Sequence, residues 1–286
     1  MKILSYKNHG VAHVGLVSGD GVADLTSRLQ ADSVRELLDR NLLAQARNFE
    51  NANPDRKLAD IEFLPVIPDP PHLICVGINY LKHLEEVQGA GVARQMPKQP
   101  SLFLRLSDTL VAHNAPLLMP KMSNDFDYEA ELAIIIGKGG RFIDEKRALD
   151  HVAGYSCFND ASVRDWQFHS SQVTPGKNFP ATGGFGPWMV TSDEVDDPHK
   201  LSIKLVLNGK TMQDGNTSDL IFSIPKIIAY ISQFVALKPG DVIATGTPAG
   251  VGFSRKPPVF MKAGDICEVH IEKVGVLRNP VAKDTA

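Results

Sequence analysis

Two glutamates stand at the mouth of an apolar run: Asp127-Tyr128-Glu129-Ala130-Glu131 leads directly into Leu132-Ala133-Ile134-Ile135-Ile136. Residues two apart on an extended strand share a face, so Glu129 and Glu131 point to one place if this segment is β. The apolar run predicts a strand entering a core. Carboxylates at that depth need a partner, because burial and mutual repulsion drive one of them to take up a proton unless a cation neutralises them together. A second apolar stretch, residues 152–158, runs into Asn159-Asp160 and is followed by Arg164, Asp165, Gln167 and His169. Two apolar strands ending in acids predict one site. Glu129, Glu131 and Asp160 then become ligands of a hard divalent ion, Mg²⁺ or Mn²⁺, with Ca²⁺ also admissible to an all-oxygen set. A Glu-x-Glu pair alone equally suits the wet face of an ordinary strand; it is the company of Asp160 that favours the metal.

With 286 residues, 43% of them hydrophobic and 22% charged, the chain can bury a large core, which excludes disordered and fibrous classes. A net charge of −3 gives no electrostatic reason to bind nucleic acid or an anionic membrane, so the expected partner is a small molecule. No apolar run approaches the ~20 residues of a membrane span, and the opening turns polar at Ser5-Tyr6-Lys7, before a signal-peptide core could form; a cytoplasmic location is expected. Cys75, Cys157 and Cys267 are odd in number and embedded in apolar segments, which predicts reduced, buried thiols.

Residues 2–6, 11–17 and 21–24 read as a small antiparallel sheet, and Ser33 with Glu36 fits a capping box ahead of a helical stripe at Val34, Leu37, Leu38, Leu42 and Leu43. Prolines at 65, 68, 70 and 71 mark a connection, which divides the chain into a small N-terminal domain, residues 1–68, and a catalytic domain, residues 69–286. Beyond it, residues 73–77 read as a strand, 78–87 as a short helix, and 88–99 as a loop of lid character; residues 79–99 as a whole are expected to order over a ligand. Asn208-Gly209 between two β-like runs is a strong hairpin signal, and Ser223 is placed to cap a helix over residues 224–234. Strands outnumber helices and come in hairpins. The expected fold class is mixed α/β, β-dominated, with a rolled or barrel-like sheet rather than a doubly wound one.

His83 and Glu86 are spaced i, i+3, which puts both on one helix face and lets the carboxylate orient the imidazole as a general base; an ordinary surface pair has the same spacing. Lys177 precedes the glycine-rich run 182–187, which carries no Walker or dinucleotide pattern, and can offer positive charge to a developing oxyanion. Thr247, in a second glycine-containing loop, can offer its hydroxyl to a substrate carboxylate. Arg105 and Arg164 are candidate anion clamps, each with a neighbouring acid, Asp108 or Asp165, as its alternative partner.

These motifs together, Gly77-Ile78-Asn79-Tyr80-Leu81-Lys82-His83-Leu84-Glu85-Glu86, Asp127-Tyr128-Glu129-Ala130-Glu131-Leu132, Asn159-Asp160 with Arg164-Asp165-Trp166-Gln167, Lys177, and Thr245-Gly246-Thr247-Pro248-Ala249-Gly250-Val251-Gly252, resemble the fumarylacetoacetate hydrolase superfamily in the same order, from about residue 71 to 280. The resemblance implies a β-roll around Mg²⁺ or Mn²⁺ and a homodimer. It implies Glu129, Glu131 and Asp160 as metal ligands, His83 and Glu86 as the acid-base dyad on a lid, and Lys177, Gln167 and Thr247 as substrate contacts. Arg105 departs from it, standing where many members carry lysine. The implied activity is hydrolytic carbon-carbon cleavage of a 2,4-dioxo acid, an acylpyruvate such as fumarylpyruvate, through a metal-bound pyruvate enolate. The same intermediate keeps oxaloacetate decarboxylation and 2-oxo-alkenoate hydration or isomerisation open, and a catalytically silent oxo-acid binding protein is the alternative from another class.

Overall fold

The computed structural model describes residues 1–93 and 95–285; Arg94, within the expected lid, and Ala286 lie outside the described residues. Among the described residues, twelve strands join in one large sheet and five in a second, smaller one, so the molecule is mixed α/β and strand-dominated, as the hairpin-rich pattern predicts. At its centre the strand Ala130–Ile136 is buried along its whole length. Its two faces serve different cores. Leu132, Ile134 and Ile136 pack with Ile203, Leu205, Val269 and Leu277 of the smaller sheet and with Ile227, Ile228 and Ile231 of the helix Ile224–Ile231. Ala133 and Ile135 pack with Ile3, Leu16, Leu25 and Leu37 from the beginning of the chain. Burial on both faces explains why this strand reads as a continuous apolar run rather than an alternation.

The first strand, Lys2–Asn8, pairs antiparallel with Gly183–Thr191, so residues 1–68 extend the large sheet as well as covering one face of it. Ser33 caps the helix Val34–Asp39 by accepting from the Glu36 N–H, while the Glu36 carboxylate reaches the N–H of Asp32 rather than that of Ser33. That helix stops short of the stripe expected through Leu43 because Asn41 takes a left-handed φ of 53°, which Asn tolerates better than most residues. The expected strand over 73–77 is present as Leu73–Gly77, and the following helix runs Leu81–Gly89 instead of starting at residue 78. Asn208 and Gly209, with φ of 52° and 78°, close the hairpin between Ser202–Leu207 and Lys210–Asn216.

Candidate functional site

Sheet register brings four separate segments to one place. Ala130–Ile136 pairs antiparallel with Val152–Asp160, Ala130 opposite Asn159, so the beginning of one strand meets the end of the other. On its other side it pairs antiparallel with Val242–Ala244, which lies parallel to Leu73–Gly77. The ends of these three neighbours therefore open beside the start of the acidic strand. Asp160 arrives from one, the loop with Gly246 and Thr247 from the second, and Gly77 with the helix bearing His83 from the third. Glu129 lies just before the strand and is tied to its neighbour, donating its N–H to Asn159 Oδ1 and accepting from the Asp160 N–H at its carbonyl.

One carboxylate oxygen from each of Glu129, Glu131 and Asp160 lies within 4.8 Å of the others, and all three residues are buried. Three buried cations face them. Lys177 Nζ, from the short helix Thr174–Lys177, sits 2.6 Å from both Glu129 Oε2 and Asp160 Oδ2. Arg105 lies 2.5 Å from Asp160 Oδ1, and Arg164 bridges Glu129 at 2.7 Å and Asp127 at 2.8 Å. Burial opposes the charge on Glu129, but Lys177 and Arg164 outweigh it and hold the carboxyl at about 2. Burial, reinforced by the negative charges of Asp160 and Glu129, instead pushes Glu131 well above its usual range. Lys177 stays firmly protonated: burial disfavours its charge, and Asp160 and Glu129 more than restore it.

His83 Nδ1 lies 3.1 Å from Glu86 Oε2, as the i, i+3 spacing predicts. The other oxygen of Glu86 accepts from the Gly250 N–H at 2.9 Å and from Ser254 Oγ at 2.6 Å. Burial works against this carboxylate, yet His83, Ser254 and Gly250 hold it below its usual value, so Glu86 is an anion that accepts the Nδ1 proton and leaves Nε2 as the free ring nitrogen. His83, Glu129, Glu131, Asp160, Arg164, Gln167, Lys177 and Thr247 all line one cavity of about 260 Å³, walled by Val87, Val173, Phe103, Phe168 and Phe253.

Arg105 is corrected by the structure. It does not line the cavity: its guanidinium is taken up by Asp160, the Ala161 carbonyl, Thr182 and Thr109, behind the acids. Gly183 makes room for it, since a Cβ there would lie 3.0 Å from its terminal nitrogen. It is a buried counter-charge to Asp160 rather than a clamp on substrate. Arg164 does line the cavity, but two of its nitrogens face Asp127 and Glu129 and a third bonds to Gln167 Oε1; the neighbouring Asp165 instead accepts from Ser123.

Sequence reasoning missed Asp127, whose carboxylate takes the N–H groups of Gly252 and Phe253 as well as Arg164; the spacing of two that selects Glu129 and Glu131 extends back to it. Asn79, Gln213 and Ser254 were also missed. Asn79 clamps the backbone of Thr245 and Phe222, and Gln213 and Ser254 reach the site only through folding.

The residues present fit a divalent ion. The donor set is three carboxylates, the choice of a hard cation. Among the described residues Glu131 has no ion pair, its hydrogen bond coming from the Gly246 N–H at 2.8 Å. With all four ionised, the acids Asp127, Glu129, Glu131 and Asp160 would exceed the three cations Arg105, Arg164 and Lys177 by one charge. A dication would remove that surplus and leave the cavity attractive to an anionic ligand.

The family model described as fumarylacetoacetate (FAA) hydrolase C-terminal matches residues 72–282. The chain is 38% identical over 278 residues to the human "Oxaloacetate tautomerase FAHD2A, mitochondrial", covering 94% of this chain and 87% of the relative. It is 43% identical over 225 residues to "Oxaloacetate tautomerase fahd2, mitochondrial" of Xenopus laevis, covering 78% and 69%. Among solved structures, maleylpyruvate hydrolase from Sphingobium sp. SYK-6, in complex with manganese(II) ion and pyruvate, matches with a TM-score of 0.83 at 30% identity over 100% of both chains.

Proposed function

This chain belongs to the fumarylacetoacetate hydrolase family, and from that membership we propose that it is a divalent-metal-dependent enzyme of short 2-oxo acids whose reaction is proton transfer beside the ketone, the keto–enol interconversion of oxaloacetate. The observation that carries this reading is the His83–Glu86 pair in the same cavity as the three acids. The names of the vertebrate relatives support oxaloacetate as the substrate.

Glu129, Glu131 and Asp160 would hold the ion, which when bound supplies the positive charge that acidifies the carbon next to a 2-oxo group. The remaining work belongs to the chain. His83 Nε2 takes a proton from C3; the C3–H bond breaks, its electron pair forms the C2–C3 double bond, and the C2 oxygen receives a proton that His83 returns, so no atom is gained or lost. Glu86 stabilises the imidazolium formed in between. Thr247 donates its hydroxyl to a carboxylate oxygen, and Phe103, Phe168 and Phe253 limit water around the reacting carbon.

The test is to follow the ultraviolet absorbance of oxaloacetate enol with Mg²⁺ or Mn²⁺ and then EDTA. Ketonisation should accelerate, return to the uncatalysed rate with chelator, and fall ~10² to 10⁴-fold in His83→Ala. No acceleration with either metal would sink the reading. A second reading, hydrolysis of an acylpyruvate by water that His83 deprotonates, is supported by the full-length likeness to a maleylpyruvate hydrolase. Pyruvate release from fumarylpyruvate or acetylpyruvate, with oxaloacetate enol unaffected, would favour it; CO₂ release from oxaloacetate would point to decarboxylation.

A further inference from the structure

Gln213 sits on the strand Lys210–Asn216 of the smaller sheet, fully buried and outside the cavity lining. Three partners fix its amide. Oε1 accepts from the Ala130 N–H at 2.9 Å, while Nε2 donates to the Pro248 carbonyl and to Thr247 Oγ1, each at 2.7 Å. A backbone N–H only donates and a carbonyl only accepts, so a reversed amide would set donor against donor and acceptor against acceptor. Thr247 Oγ1 is therefore an acceptor from Gln213, and its single proton must go elsewhere. The strand lies directly against the loop that bears Thr247: a Cβ on Gly215 would fall 2.7 Å from Pro248 Cβ, and one on Gly250 2.3 Å from the Met212 carbonyl oxygen.

We propose that Gln213 is a positioning residue that, by donating to Thr247 Oγ1, makes the Thr247 hydroxyl an obligate donor toward the cavity, so that this wall selects an anionic oxygen, the carboxylate of a 2-oxo acid. The inference rests on the reading of the cavity as a 2-oxo acid site. Ala130 lies between Glu129 and Glu131, so the same amide holds the segment that carries these two acids and orients the hydroxyl that would meet the substrate. One rigid side chain thus sets the spacing between the segment bearing Glu129 and Glu131 and the Thr247 hydroxyl. A threonine free to rotate would present lone pairs as readily as its proton, and lone pairs repel a carboxylate.

The test is oxalate affinity, by calorimetry, of Mn²⁺-loaded wild type, Thr247→Val, Gln213→Met and the double variant, with Mn²⁺ affinity measured separately without oxalate. Each single variant should bind oxalate about 10-fold or more weakly, the loss of one hydrogen bond to a charged group, and the double variant no more weakly than Thr247→Val. Thr247→Ser should bind as wild type. A Gln213→Met that leaves oxalate affinity unchanged, or that lowers it equally in the Thr247→Val background, overturns the proposal. If Gln213→Met does not fold, Gln213→Glu, whose carboxylate still accepts from Ala130 but draws the Thr247 proton to itself, must show the same dependence on Thr247. Oxalate that fails to bind the Mn²⁺-loaded wild type overturns the 2-oxo acid reading together with this one, whereas normal wild-type binding with an indifferent Gln213 variant overturns this one alone.

Discussion

Glu129 and Asp160 each have cations at hand, Lys177 for both, Arg164 for the first and Arg105 for the second, while Glu131 is met by a backbone N–H. Glu131 is therefore the acid that gains most from a metal ion. Mg²⁺ or Mn²⁺ at a hundred times its dissociation constant should stabilise the fold by about 2.7 kcal/mol, seen as a rise in Tm that EDTA reverses, and Glu131→Gln should remove most of it. Glu86 makes a separate prediction. Its usual value is 4.5 and the folded protein holds it lower, against burial, through His83, Ser254 and Gly250. A depressed carboxyl contributes stability that is complete above the unfolded value and lost as pH falls through the folded one. Ser254→Ala removes part of that contribution, so its Tm deficit should be largest near neutral pH and shrink as the solution is acidified below about 4.5; a deficit that does not vary with pH would separate Ser254 from Glu86. The alternation of Glu129 with Glu131 and the i, i+3 spacing of His83 with Glu86 were legible because they are local. The partner of Arg105 was not, since Asp160 lies 55 residues away and the neighbouring acid Asp108 was a plausible substitute.

Turns and caps carried the elements that the sequence foretells best. Asn208-Gly209 does so through backbone chemistry alone, because both residues take positive φ and nothing crowds the glycine. Gly209→Ala should cost about 1–2 kcal/mol from the left-handed conformation, a fall in Tm of a few degrees by thermal scanning with little change in activity. Ser223 accepts from the Lys226 N–H at the start of Ile224–Ile231, and Ser223→Ala should cost ~1 kcal/mol. The helix with His83 begins three residues later than its pattern suggests, for a different reason. Ile78 adopts φ of 54°, which a β-branched residue avoids at a cost of about 1–3 kcal/mol, and the buried amide of Asn79 holds the chain there by bonding to Thr245 and Phe222. Tertiary contacts more than 140 residues distant overrule local preference at that turn.

At the scale of the whole molecule, residues 1–68 share both a sheet and a core with the rest of the chain: Ile3 stands opposite Met189 across the strand pair, and Ile3, Leu16, Leu25 and Leu37 pack on Ala133, Ile135 and Phe158. A variant truncated to residues 69–286 would expose that apolar face and an unpaired strand edge, the combination that drives association. It should elute in size-exclusion chromatography as aggregated material, and a monodisperse truncation with the Tm of the full chain would show that the shared core contributes little. The order of apolar runs, the positions of the acids and the dyad spacing come from the sequence alone, because each depends on neighbours within about one turn or one strand. The closing of the site does not. Only tertiary structure decided that an antiparallel register would set Glu131 beside the loop of Thr247, that Arg105 would turn inward to Asp160, and that Gln213 from another sheet would bond to the Thr247 hydroxyl. Each of these joins residues at least 34 positions apart, and no local periodicity records which distant strand will lie alongside.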